Sequence, residues 1–234
     1  IDEIYQLNQF ALKKIYEQLA NYMNQKTVKM TRYMSLLLFD FISQNCHYCR
    51  SLHLSLSLLN ECLNNSKVCY YISITNSIWD AVVYSIRNDD GEDLVNALTL
   101  IEKVPICVDP DHLQKLWKVL IMKYKMSKSI ESAKTICSIL KRKKDMSCDT
   151  LIPVIYEDMS KDNEQNVITG LKIMRHMNSQ HFIPMLKLPS ATLQFWPNLV
   201  KLVKRKNEKI CRSIGKLIMN IIKCIKDFSV DPEF

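Results

Sequence analysis

Along residues 4 to 23 the apolar positions Ile4, Leu7, Ala11, Ile15, Leu19 and Tyr22 recur at steps of three and four, which places them on one face of an α-helix. A second apolar run extends from Tyr33 to Ile42 and stops at the polar pair Gln44-Asn45. The next run, LHLSLSLL at 52–59, alternates strictly, which is the period of a half-buried strand. Leu59 and Leu63 carry it onward with no hairpin turn signal, so the segment is predicted to be helical, and it is the first place to look for a strand. The last run, at 208–228, sets Ile210, Ile214, Leu217, Ile218, Ile221 and Ile225 on one face and Lys209, Arg212, Lys216, Lys223 and Lys226 around the rest. Such a basic amphipathic helix can lie on a membrane surface or dock a partner, but it is read here as a cap whose polar face meets water.

From Ser77 onward a unit repeats. An aromatic residue opens a first helix, a polar break follows, and a second helix carries a small residue among aliphatics. The aromatics Trp79, Trp117, Tyr156 and Trp196 follow one another at nearly even intervals, and the small residues are Ala97, Ala133, Gly170 and Gly215. The breaks within pairs are NDDGED (88–93), KMSKS (125–129) and SKDNEQ (160–165), rich in residues that turn the chain or cap a helix. Prolines punctuate the units, in PICVDPD (105–111), at Pro153 and in HFIPMLKLP (181–189), where no helix-interior amide is required. A period of about 40 residues with two helices per unit predicts an all-α fold, an α-solenoid of stacked antiparallel helix pairs. The expectation is one helical-repeat domain over 1–234. It comprises degenerate N-terminal helices at 1–76, repeat units at 77–207 and the capping helix at 208–228.

One stretch, Leu116 to Leu140, resembles a pentatricopeptide-type repeat, a relative of the tetratricopeptide repeat. The residues that carry the resemblance are Trp117, Leu120, Ile121, Tyr124, Ile130, Ala133 and Leu140, and the gap from the aromatic to the alanine matches the pattern of those repeats. The preceding unit ends in VDPD (108–111), similar to their Pro-Asp ending. Elsewhere the units are longer than the usual length of roughly 34 residues, so the resemblance implies the helical-repeat superfamily and no closer kinship. In RNA-reading members a polar residue two places after the aromatic helps to read one base. The corresponding positions here are Ala81, Val119, Asp158 and Asn198, and alanine and valine cannot hydrogen-bond a base edge. The resemblance therefore implies a scaffold without a modular base-reading code.

Composition narrows the reading. Apolar residues make up 47% and charged residues 24%, ordinary globular values. Three glycines are about one fifth of the usual number, which excludes most hairpin-rich and phosphate-loop folds. The nine cysteines are odd in number, and Cys137, Cys211 and Cys224 sit in apolar helical runs where a thiol acts as a small hydrophobe. Reduced thiols predict an intracellular protein, cytoplasmic or nuclear. The ends IDEIYQ and SVDPEF read as cuts from a longer protein. No window of 18 uncharged apolar residues exists, so no membrane span is expected.

The chemistry sought is sparse. Cys46 and Cys49, with Cys62, Cys69 and His53 nearby, have spacing that can hold zinc, but the pair lacks a glycine-rich turn and Cys62 lies in an apolar run. Neither a metal nor a cofactor is expected. His112 follows a cap-like Asp111 and His176 neighbours Arg175, positions that suit structural roles. The carboxylate pairs Asp89-Asp90 and Glu92-Asp93 belong to a turn, so no enzyme activity is expected. Two basic clusters are candidates for an anionic partner, Lys141, Arg142, Lys143 and Lys144, and Lys201, Lys204, Arg205 and Lys206. Stacked in register they would form one basic edge. The function expected is a non-catalytic scaffold for a protein partner, a peptide or helix. The alternative is a nucleic-acid-binding solenoid that uses this edge with little base readout.

Overall fold

The computed structural model describes residues 52–61, 63, 66–104, 110–187 and 191–229, together with scattered helical residues between 10 and 21. The apolar run 33–42 and Cys46, Cys49 and Cys62 lie outside the described residues. Every regular element among the described residues is helical, and they form the stacked antiparallel pairs of an α-solenoid. Backbone contacts divide the chain, expected to be one domain, into two compact units, Ile1–Leu120 and Ile121–Phe234.

The first unit holds α1 (Leu52–Glu61), α2 (Ser66–Ile74), α3 (Asn76–Asn88), α4 (Glu92–Lys103) and the start of α5 (Pro110–Ser127). The alternating LHLSLSLL segment is helical, as predicted. Leu56, Leu58 and Leu59 are all buried, and so is Ser55, so its leucines pack around more than one face of α1. The helix packs against α4, and Asn60 Nδ2 donates to the carbonyl and the side-chain oxygen of Asn96, both at 3.0 Å. Only Asp89, Asp90 and Gly91 join α3 to α4, so the two packed helices run antiparallel. The turn needs Gly91, whose φ of 88° a side chain would strain.

The second unit continues with the end of α5, α6 (Ile130–Arg142), α7 (Leu151–Ser160), α8 (Glu164–Met174) and α9 (Ser179–Lys187). A π-helical turn (Ala191–Phe195) then leads into α10 (Trp196–Lys204) and α11 (Glu208–Ser229). The first helices of successive pairs form one layer, with α7 against α10. The second helices form the other, with α6 against α8 and α8 against α11. The three second helices start alike. Ser129 Oγ accepts from the Ser132 amide at 3.2 Å, Asn163 Oδ1 from Asn166 at 3.0 Å, and Asn207 Oδ1 from Ile210 at 3.1 Å. Each cap satisfies an amide that the helix's own carbonyls cannot reach. Helix α9 is an extra helix inserted between the last two pairs.

The opening aromatics Trp79, Trp117 and Tyr156 are buried as the spacing requires, but Trp196 is not: it is 43% exposed. Its neighbour Phe195 is fully buried and stacks on Tyr156 at 6.2 Å between ring centroids. The π-helical turn shifts the helix face by one position, so Phe195 follows Tyr156 by the same step that separates Tyr156 from Trp117. The small residues divide similarly. Ala97 and Ala133 are buried, and a Cβ on Gly170 would lie 3.4 Å from Ile155 Cγ2 and 3.5 Å from Asp158 Cβ, in van der Waals contact with α7, so a small residue fits here and a larger one would not. Gly215 is exposed with nothing near it, and the expected close approach there does not occur.

Candidate functional site

The positions that would read a base point inward. Ala81 and Val119 are buried, and Asp158 is completely so. The Asp158 carboxylate accepts the Tyr124 hydroxyl at 2.8 Å and meets Lys128 Nζ at 2.5 Å, an ion pair without an aligned hydrogen bond. Lys128 also lies over the Tyr124 ring, 5.1 Å from its centroid. Burial, with the charge of Asp158 second, pushes the Tyr124 hydroxyl far above its ordinary pKa, so it stays a donor. The group ties α5 to α7. Its signal in the sequence is a tyrosine and an aspartate on otherwise apolar faces, in the first helices of successive pairs.

A cleft of about 240 Å³ opens beside the α6–α7 connection, lined in part by Lys144, Asp145, Ser147, Cys148 and His181. Cysteine and histidine side by side suggest a nucleophile and its base, but the bonding excludes that pairing. His181 Nε2 donates to the Met146 carbonyl at 2.6 Å, and Nδ1 accepts from the Asn178 amide at 3.2 Å. Both ring nitrogens are committed to backbone, and burial lowers the His181 pKa. Burial, helped by Asp149, pushes the Cys148 thiol up to about 12, so no thiolate forms near neutrality. In the first unit His112 Nε2 lies 3.4 Å from Asp80 Oδ1, joining α5 to α3. Of the zinc candidates only Cys69 is described; it is a free, half-buried thiol that donates to the Leu63 carbonyl at 3.2 Å. Among the described residues no group of three His, Cys, Asp or Glu is placed to hold a metal ion. No described helix is long and apolar enough to cross a membrane.

The structure does not bring the two basic clusters together. Lys141 to Lys144 follow the end of α6, where the Lys144 carbonyl accepts from Asn178 Nδ2 at 3.0 Å, just beyond α8. Lys201 to Lys206 close α10 at the opposite end of the layers, where Arg205 donates to the Lys161 carbonyl at 3.0 Å and pairs with Asp162 at 2.8 Å. About 20 Å, the length of the 13-residue α6, separates the two ends. A single basic edge is therefore ruled out. A second helix must point its C-terminus away from the turn that joins it to its partner.

What the clusters do not form, the last pair does. On α10 the exposed side holds Trp196, Val200 and Val203, a step of four and then three. On α11 three neighbouring rows run along the helix. Ile210, Ile214, Leu217, Ile221 and Cys224 are buried. One position on, Cys211 is half-buried, while Gly215, Ile218 and Ile222 are exposed, Ile218 at 39% and Ile222 at 42%. One position further stand Arg212, Lys216, Met219, Lys223 and Lys226, all exposed. A capping helix would be polar on its whole outer side; this one is apolar for half of it. The sequence hinted at this in an apolar arc too broad for one buried face.

No family profile matches the chain, and neither does any curated protein. Among solved structures it is similar to a designed armadillo repeat protein in complex with the peptide (KR)4. The TM-score is 0.45 and the identity 16%, over 87% of this chain and 98% of that one.

Proposed function

We propose that this protein is a non-catalytic helical-repeat scaffold that binds a protein partner, a helix or an extended peptide, within a larger intracellular assembly. The observation that carries the reading is the exposed apolar surface of the last pair, Trp196, Val200 and Val203 on α10 with Ile218, Met219 and Ile222 on α11. Exposed apolar side chains grouped on one packed helix pair suit an interaction site, whereas single scattered ones do not. The chemistry supports the same reading, since the half-buried and buried thiols and imidazoles near the cleft serve the fold. Recovery of bound material from native cells, with and without RNase, tests the proposal. A protein partner should survive RNase and be released by Val200→Glu with Ile222→Glu. Release by RNase, or by charge reversal at Lys141 to Lys144 and Lys201 to Lys206 alone, would replace it with the nucleic-acid reading.

A further inference from the structure

Counted from their caps, the second helices of the second unit can be compared position by position. Four, eight and eleven positions after Ser129 stand Ala133, Cys137 and Leu140 of α6, all buried. The same steps from Asn163 reach Val167, Leu171 and Met174 of α8, all buried. From Asn207 they reach Cys211, half-buried, and Gly215 and Ile218, both exposed. Helix α6 packs against α8, and α11 packs against α8 and α10 through its buried row Ile210, Ile214, Leu217 and Ile221, which leaves its other row on the outer side. In α11 the same row, extended by Ile222, faces the place where a further helix would pack, and none of the described helices fills it.

The flanking row defines the charge of what belongs there. Lys216, Lys223 and Lys226 have no carboxylate partner among the described residues, and Arg212 is paired with Glu208 of its own helix at 2.7 Å. Along α8 and α6 the equivalent rows carry Lys172 and Arg175, and Lys141, so the sign is the same across the layer. A second copy of this chain would bring lysines against lysines. Single-stranded nucleic acid would need aromatic platforms, and α11 has Ile218 and Ile222 where rings would stack. An aliphatic row beside a basic row fits an amphipathic helix with acidic residues along one flank.

We infer that the uncovered row Cys211, Gly215, Ile218 and Ile222 of α11 seats an amphipathic α-helix of another polypeptide. Its aliphatic stripe packs on this row, and its Asp and Glu residues face Arg212, Lys216, Lys223 and Lys226. The partner helix repeats the packing of α11 on α8, and Gly215 gives it a close approach to the α11 backbone. The inference rests on the scaffold reading and adds the face and the chemistry of its occupant.

Fluorescence anisotropy with three labelled synthetic helices tests it on the whole chain. All have about 20 residues; two share a leucine stripe, flanked by Glu in one and Lys in the other, and the third has the Glu composition with the stripe scrambled. The Glu-flanked helix should bind, and the Lys-flanked and scrambled ones should bind at least about tenfold more weakly. Ile218→Glu with Ile222→Glu should abolish binding while leaving the circular dichroism intact, since both side chains are already half in water. Lys216→Glu with Lys223→Glu should invert the preference toward the Lys-flanked helix. Equal binding of both flanks, or binding indifferent to Ile218 and Ile222, overturns the inference. So does self-association in sedimentation that Ile222→Glu removes, which would make a second copy the occupant. If a cellular protein partner still binds the Ile218→Glu, Ile222→Glu variant, the scaffold reading stands and this face falls. If cells yield no protein partner at all, the scaffold reading itself falls.

Discussion

Lys128→Met is the most informative single change in the second unit. It removes one charge and keeps the unbranched stem and the backbone, whose φ of 52° either residue must bear equally. Asp158 is then left fully buried with only the Tyr124 hydroxyl to balance it. Breaking a buried pair from one side typically costs about 3–5 kcal/mol, because the remaining charge is neither solvated nor paired. The Lys128 ammonium is itself buried and only its stem meets solvent, so the pair is unscreened and the whole range, about 3–5 kcal/mol, applies. The reverse change, Asp158→Asn, should cost less, because the long, partly exposed Lys128 stem can swing a freed ammonium out to solvent whereas the fully buried carboxylate has nowhere to go. Tyr124→Phe removes a hydrogen bond to a charged acceptor and should cost about 1.5–3 kcal/mol. Urea melts followed by circular dichroism, with unchanged slope, give the three values. A Lys128→Met loss under about 0.5 kcal/mol, or a loss smaller than that of Asp158→Asn, would refute the account of Asp158 as a buried anion held by Lys128.

Phe195→Ala should cost about 3–5 kcal/mol and Trp196→Ala far less, a contrast that denaturant melts read directly and that the unshifted repeat would reverse. Ala133→Leu should cost about 1–3 kcal/mol, because the position is buried, while Lys134→Leu beside it stays within about 0.5 kcal/mol. Gly215→Ala should stabilise the protein by about 0.5–1 kcal/mol, since α11 gains helix propensity and the new methyl meets nothing; a loss in thermal melts would mean that the position is covered. Desolvation, with Lys141, Arg175 and Lys172 adding to it, lowers the His176 pKa to about 4 from its ordinary 6.5. The unfolded chain then binds the extra proton between pH 6.5 and 4, so stability falls as pH drops through that window. The half-exposed ring limits the loss to about 1–2 kcal/mol, and His176→Gln should remove that part of the slope in melts at pH 7 and pH 4.5.

The elements were legible where one period dominates. The steps through Trp79, Ile86, Trp117, Tyr124 and Tyr156 give helices with the expected inward faces, because an amphipathic helix states its buried side in its own spacing. LHLSLSLL was ambiguous because α1 is buried on more than one face, and a helix surrounded by apolar neighbours need not show a single stripe. The Phe195 and Trp196 exchange could not be read from spacing. Two adjacent aromatics satisfy the period equally, and what selects between them is a π-helical turn that only the packing of the inserted α9 and α10 sets.

The candidate site was less legible, for a different reason: its features are relations between helices. Asp158 shows why. Aligned on the aromatics it falls where the resembled repeats place a polar reader of bases, and a carboxylate in that place invites a functional role. Its actual environment depends on Lys128, which reaches across from the turn of the preceding pair in the left-handed conformation, and on Tyr124 one helical turn before that. The basic clusters mislead in the same way. Lys141 to Lys144 and Lys201 to Lys206 are equally cationic as text, yet one closes a second helix and the other a first, and antiparallel pairing sends them to opposite ends. By contrast, the uncovered row of α11 lies within one helix and is visible as Gly215, Ile218 and Ile222 beside Lys216, Met219 and Lys223. What the sequence lacks is the comparison with Leu140 and Met174, buried at the same distance from their caps. That comparison turns an over-wide apolar arc into a face with a missing neighbour.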